Sequence, residues 1–181
     1  ARSIKSAEEI KAMRCSISAC ETSIHVMEKE TKPGMTENDI WSILHSENIK
    51  RGGEWIETRL LSSGTKTNPW FQECGSRILQ NNEIVAFDTD LVGCYSMCTD
   101  ISRTWWIGDQ EPTKEMKQDY QIALEHIQKN AELVAPGVPF KDLTFKGHQL
   151  GDVYKKQQYS CRFHGVGPVS YTHLTLPTKV T

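Results

Sequence analysis

This sequence predicts an α+β domain in which helices cover a largely antiparallel sheet, and three observations carry that expectation. Residues 3–30 and 113–134 place apolar side chains at helical intervals. Between them, "EIVAFDTDLVG" and "CTDISRTWWIG" read as two strands around a connection from Gly93 to Met97. The overall order is helix, helix, strands, helix, helix, strand.

Taken in order, Ser6 and Glu9 stand in capping-box spacing and open a long amphipathic helix on which Ile10, Met13, Ile17, Ile24 and Met27 recur. Pro33 and Gly34 break it. Thr36 then caps a second helix carrying Ile40, Ile43 and Leu44, which Gly52-Gly53 ends. "EWIETRLLSSG" reads as a strand that stops at Gly64, and "TKTNPWFQECGS" as a polar loop with two aromatic residues in it. After the two strands comes the amphipathic stretch from Thr113 to Val134, with Met116, Tyr120, Ala123, Leu124, Ile127 and Leu133 on or near one side. It closes at a Pro-Gly, a short helix follows, and "YSCRFHGVG" returns to extended, glycine-rich chain. One domain is expected over 1–168, with 169–181 set apart as a tail foreign to it, so His173 receives no role.

The chain has 181 residues, 38% of them hydrophobic, with a net charge of −2, as expected of one globular domain with a real core. Lysine and arginine (21) nearly balance aspartate and glutamate (23) and are scattered, which argues against a nucleic-acid or membrane-surface partner and for a small molecule. No apolar run reaches bilayer length and the start lacks a secretory core, so a cytoplasmic location is expected. The six cysteines are expected to be reduced: none forms a Cys-x-x-Cys pair, and Cys94 with Cys98 lacks further zinc ligands at suitable spacing.

The chemistry concentrates in "VAFDTDLVGCYSMCTDISRTWW". Side chains alternate along a strand, so Asp88 and Asp90 share a face. With the turn centred near Tyr95, Asp90 lies opposite Asp100 and Ser102 opposite Asp88, so that the three carboxylates are expected to converge. Like charges so placed cost several kcal/mol unless a positive group lies among them. A divalent metal is the simplest such group, and oxygen-rich ligation suits Mn, Fe, Co or Zn. His164, flanked by glycine in "FHGVG", offers a nitrogen ligand. The plainer alternative is that the aspartates mark the solvent face of a hairpin and that His164 is structural.

Asp88, Asp100 and His164, in "FDTD", "TDISRT" and "FHGVG", resemble the ligand motifs of the pita-bread metallohydrolase superfamily of methionine aminopeptidase, Xaa-Pro aminopeptidase, prolidase and creatinase. The likeness covers nearly all of residues 3–167. It implies a curved antiparallel sheet backed by helices and a pair of divalent ions held by two aspartates, a histidine and two later glutamates, which this chain does not reach. The family's usual aspartate spacing is eleven, whereas here Asp90 and Asp88 precede Asp100 by ten and by twelve. Peptidases of the group also commonly carry a histidine after a proline in the loop before the metal strand, where this chain has Trp70 after Pro69.

"GGEWIETRLLSSGTKTNPWFQE", "NNEIVAFDTDLVG" and "DISRTWWIGD" are similar to segments of the superfamily branch that cleaves dimethylsulfoniopropionate into dimethyl sulfide and acrylate. That likeness implies metal ligation by Asp88, Asp90, Asp100 and His164, with Tyr159 lining the substrate pocket, and a homodimer when full length. The branch's base follows its His-Gly-Val-Gly stretch, where this chain reads "PVS" after Gly167, so the catalytic base is left unassigned and the chain is expected to be an inactive fragment. A sulfonium cation calls for an aromatic wall, for which Trp70, Phe71 and Trp106 are the candidates; Trp105 or Trp106 in a strand is more often a core residue, which makes the loop residue Trp70 the better one. Arg103 is expected to form a structural ion pair. His25, His45, His126 and His148 carry no motif and are given no role. The alternatives to the lyase are a metal-dependent Xaa-Pro peptidase of the same fold and a non-catalytic pita-bread domain that binds partners.

Overall fold

The computed structural model describes residues 4–168 except 160 and 162. The stretch 169–181 lies outside the described residues. The described chain forms two compact units: one runs to Glu111 and takes in the segment from Gly165, and the other runs from Pro112 to His164.

In the first unit, helix α1 (Ala7–Glu30) starts on the expected capping box: the Ser6 hydroxyl accepts the Glu9 N–H at 3.2 Å and the Glu9 carboxylate accepts the Ser6 N–H at 2.7 Å. Helix α2 (Glu37–Lys50) repeats the device with Thr36 and Asp39. The buried face of α1 differs from the expected one. It comprises Ser16, Ala19, Cys20, Ser23, Ile24 and Met27, while Ile10 and Ile17 are exposed. The reason is close approach: Gly93 lies so near α1 that a Cβ there would fall 1.9 Å from Ser16 Oγ and 3.1 Å from its Cα. Small residues on that face let the helix backbone reach the hairpin turn, and the Ser16 hydroxyl donates to the Met97 carbonyl at 2.6 Å.

The expected first strand is broken into β1 (Trp55–Ile56) and β2 (Leu61–Ser63), the second into β3 (Glu83–Phe87) and β4 (Asp90–Val92), and the third into β5 (Cys98–Asp100) and β6 (Arg103–Ile107). They make two three-stranded antiparallel sheets, β1-β4-β5 and β2-β3-β6. The second and third chain segments keep one register across the break, from Glu83 against Ile107 to Asp90 against Asp100 and Val92 against Cys98. The first segment does not. The Glu57 N–H bonds the Asp90 carbonyl and the Asp88 N–H bonds the Leu60 carbonyl, so Thr58 and Arg59 together face Thr89. One extra residue in one strand is a β-bulge, which bends the strand and re-aims its neighbours.

Burial alternates along β3 and continues through the break: Val85, Phe87, Thr89 and Leu91 are buried while Ala86, Asp88 and Asp90 are half-buried. The buried face packs on α1 and α2 around Ile24, Met27, Ile40, Leu44, Leu61 and Phe87. Burial pushes the Cys20 thiol up to about 11 against a hydrogen bond with Thr99, so this core cysteine stays protonated. The free cysteines include Cys94, whose thiol donates to the Arg51 carbonyl.

Sequence periodicity gives no hint of the polar network at the first residue of α2. Glu37, fully buried, accepts the Ser63 N–H and hydroxyl, both at 2.9 Å, the Lys66 ammonium at 2.6 Å and the Gly75 N–H at 3.1 Å. Ser63 in turn accepts from Arg77, which forks onto Glu83 at 2.7 and 2.6 Å. Gly64 must be glycine there, because a Cβ would lie 2.4 Å from Glu83 Oε2 and its φ is +54°.

The second unit holds α3 (Lys114–Ala131), capped by Thr113, and the short helices α4 (Phe140–Phe145) and α5 (Asp152–Lys155). The Tyr154 hydroxyl donates to Asp119 at 2.7 Å and ties α5 to α3. No described helix is long and apolar enough to cross a membrane.

The Arg77–Glu83 fork predicts a pH-dependent stability. Burial raises the Glu83 carboxyl, but the Arg77 fork and the Gln80 N–H outweigh it and hold the group below its ordinary 4.5. A depressed carboxyl stabilises above that value and loses its contribution as pH falls. Glu83→Gln should therefore cost about 2 kcal/mol near neutrality in urea melts, with the difference shrinking as pH drops below 4.5.

Candidate functional site

Asp90 sits in β4 because its carbonyl is taken by Glu57 of the neighbouring edge. In an antiparallel strand a residue's N–H and C=O point to the same side, so Asp90 turns its backbone bonds away from β5. Its pairing with Asp100 is then of the non-hydrogen-bonded kind, in which facing side chains come closest, with Cα atoms about 4.5 Å apart. The bond from Gly93 N–H to the Met97 carbonyl, three residues along, fits the same alternation. Two half-buried carboxylates thus face one another at the narrowest kind of pair, where like charges repel.

Asp88 shares their face but stands in the break. Its Oδ1 accepts the Ser102 hydroxyl at 2.8 Å and the N–H of Thr89 at 3.0 Å. Ser102 therefore lies opposite Asp88 and Asp100 opposite Asp90, as alternation requires, but the expected convergence of all three carboxylates is corrected: among the described residues no three His, Cys, Asp or Glu side chains are grouped closely enough to hold a metal ion. The ladder break turns Asp88 onto its own backbone and onto Ser102. The bulge supplies a further hydroxyl, since Thr58 Oγ1 donates to Asp90 Oδ2 at 3.2 Å.

The donor set suits a hard divalent cation. Asp90 and Asp100 offer acceptor-only oxygens face to face, and Thr58 and Ser102 do for Asp90 and Asp88 what outer hydroxyls do around metals: they fix which carboxylate oxygen is turned outward. Neither Asp88 nor Asp90 belongs to an ion pair among the described residues.

Trp70 is half-buried at the far end of the loop after β2, with its ring 6.2 Å from that of Phe71, and a cis bond joins Asn68 to Pro69. Phe71 is half-exposed with φ +70°, an outlier for a bulky residue. The loop is tethered by the Glu37 network, with Lys66 reaching both Glu37 and the Glu73 carbonyl. The two tryptophans of β6 part company. Trp105 pairs with Val85 on the buried face and packs edge-on against Phe87 at 5.7 Å. Trp106 lies on the carboxylate face, its Nε1 donating to Gln110 at 2.7 Å, but six residues of extended chain, about 20 Å, separate it from Asp100. Arg103 donates to the Ser102 carbonyl, and no carboxylate pairs with it among the described residues, contrary to the structural ion pair expected. Tyr159 and His164 lie in the second unit, both exposed.

The sequence model of metallopeptidase family M24 matches residues 11–176. The chain belongs to metallopeptidase family M24. Among curated M24-related proteins, it is 55% identical to the dimethylsulfoniopropionate lyase DddP of Roseovarius nubinhibens over 171 residues and 56% identical to that of Roseobacter denitrificans over 172. Each match covers 92% of this chain and 38% of the relative, so the chain spans well under half the length of those proteins. Among solved structures, the prolidase of Pyrococcus horikoshii (TM-score 0.79, 22% identity, 94% of this chain and 49% of that one) and the X-Pro aminopeptidase of Thermotoga maritima (0.77, 22%, 94% and 48%) share the fold. The architecture is accordingly the pita-bread fold, as the motifs implied.

For this M24 chain the outer hydroxyls yield a direct expectation. In the full-length protein, Thr58→Val and Ser102→Ala should each weaken Mn2+ or Co2+ binding about tenfold or more in calorimetric titration while leaving the melting curve of the metal-free protein nearly unchanged. Unaltered affinity in both variants would remove the hydroxyls from the site.

Proposed function

We propose that the chain forms part of a metal-dependent lyase that cleaves dimethylsulfoniopropionate to dimethyl sulfide and acrylate by β-elimination. The observation that carries the reading is the 55–56% identity to two proteins named for that activity, against 22% for the prolidase and X-Pro aminopeptidase structures that share its fold. Asp88, Asp90, Asp100 and His164 are the residues of this chain that would hold two divalent transition-metal ions (Fe, Mn, Zn or Co). When bound, such ions supply positive charge for the electron density that builds on the substrate carboxylate.

The chain's own residues then have distinct tasks. Trp70, tethered through the Glu37 network, faces the sulfonium with its ring, a contact worth about 0.5 to 2 kcal/mol. Tyr159 donates a hydrogen bond to the substrate carboxylate. A carboxylate base, not among the residues assigned in this chain, removes the proton beside the substrate carboxylate; the electron pair becomes the new C=C bond, the C–S bond breaks, and sulfur leaves as neutral dimethyl sulfide. The functional unit is proposed to be a cytoplasmic homodimer.

The test is headspace detection of dimethyl sulfide from the full-length protein given dimethylsulfoniopropionate, with and without a chelator. Chelator-sensitive release is expected, and Trp70→Ala should raise KM roughly two- to thirtyfold with a smaller change in kcat. Hydrolysis of a Xaa-Pro dipeptide without sulfide release would assign the chain to the peptidases instead.

A further inference from the structure

In the second unit, His126 of α3 and His148 in the connection after α4 meet with their Nδ1 atoms 3.1 Å apart and ring centres 5.4 Å apart. Asn130, one turn beyond His126, decides where the protons are. Its Oδ1 accepts the backbone N–H of His148 at 2.9 Å. A backbone N–H only donates, so the amide orientation is fixed and Nδ2 is the atom 3.2 Å from His126 Nε2. Amide Nδ2 also only donates, so His126 Nε2 accepts, and a neutral imidazole with one accepting nitrogen carries its proton on the other. That proton, on His126 Nδ1, points at His148 Nδ1. His148 accepts there and keeps its own proton on Nε2.

We infer that His126, Asn130 and His148 form an acid-released latch, a hydrogen-bond chain that closes only while both imidazoles are neutral and that holds the His148 connection on α3. A solvent proton taken up at His126 Nε2 sets two donors against each other, that ring and the Asn130 amide. One taken up at His148 Nδ1 does the same between the two rings. Histidine is the side chain that takes up such a proton between about pH 5 and 8.

The surrounding charges are largely self-paired. On α3, Glu125 accepts hydrogen bonds from Gln121 at 3.1 Å and Lys129 at 3.3 Å, one on each oxygen. On α4, Asp142 pairs with Lys146 at 3.0 Å, and on α5, Asp152 pairs with Lys155 at 2.6 Å. Asp119 of α3 is occupied by Tyr154. The chain beyond His148 leads through α5 to Tyr159 and His164, so opening the latch loosens the segment that bears both. That consequence for activity rests on the proposed function; the latch does not.

Two readouts on the intact chain test it. Two-bond proton–nitrogen NMR spectra at about pH 7.5 should show His126 as the Nδ1–H tautomer and His148 as the Nε2–H tautomer. The exchange protection factor of the His148 amide should fall roughly tenfold between about pH 7.5 and 5.5, while amides within α1 keep theirs. Asn130→Asp places a pure acceptor at His126 Nε2, favours the charged ring, and should preserve that protection at the lower pH. The opposite tautomers, wild-type protection that ignores pH, or an Asn130→Asp protein that loses protection as the wild type does would each overturn the latch. Failure to release dimethyl sulfide would change none of these readouts.

Discussion

A single antiparallel register, Glu83 against Ile107 at one end and Gly93 against Met97 at the other, is the constraint on which the first unit depends. It survives the break between the two sheets, and it is held at the turn from both sides. Ser16 of α1 grips the Met97 carbonyl, and the Glu54 carboxylate accepts both the N–H and the hydroxyl of Ser96 at 2.9 and 2.8 Å. Tyr95 and Ser96 are thereby kept at positive φ, a conformation that costs non-glycine residues energy and persists only where neighbours enforce it. A slip of one residue would turn every side chain to the opposite face, exposing Phe87 and burying Asp88 and Asp90.

With the register fixed, the electrostatics follow. Asp90 and Asp100 have no choice but to face each other, which concentrates carboxylate oxygen at one place on the sheet. The bulge at Thr58–Arg59 and the interruption at Asp88–Thr89 sit at the same level of the sheet. They re-aim hydroxyls onto two of the three carboxylates, so the region of poorest ladder pairing is also the richest in oriented oxygen. A cation between Asp90 and Asp100 would be drawn by both carboxylates, which is how the proposed metal site would use this pairing.

The parts of this arrangement that were legible in the sequence are those decided by near neighbours. Ser6 with Glu9 and Thr36 with Asp39 cap helices through contacts three residues apart, and the pairing of Asp90 with Asp100 follows from alternation around a turn at Tyr95. The parts that escaped depend on distant chain. Ile10 and Ile17 look like core but lie exposed, because the closeness of Ser16 to Gly93 selects the small-residue face of α1. The bulge reverses no hydrophobic pattern, so one continuous strand was expected where β1 and β2 form. Glu37, Arg77 and Glu83 carry no motif, although Gly64 between Ser63 and the aromatic loop is a trace of the crowding there. His126 and His148 are 22 residues apart, and only the position of Asn130 one helical turn beyond His126 hints at a shared network.

The central claim is that the facing pair of Asp90 and Asp100 is where this chain holds a divalent cation. The most direct measurement is the melting temperature of the full-length protein and of its Asp90→Asn variant, each with chelator and with Mn2+. Mn2+ should raise the wild-type Tm by about 2 °C or more and leave that of Asp90→Asn nearly unchanged. A wild type indifferent to Mn2+, or an Asp90→Asn protein that gains as much from Mn2+ as the wild type, would contradict the claim and leave the hairpin's carboxylates as an ordinary polar face.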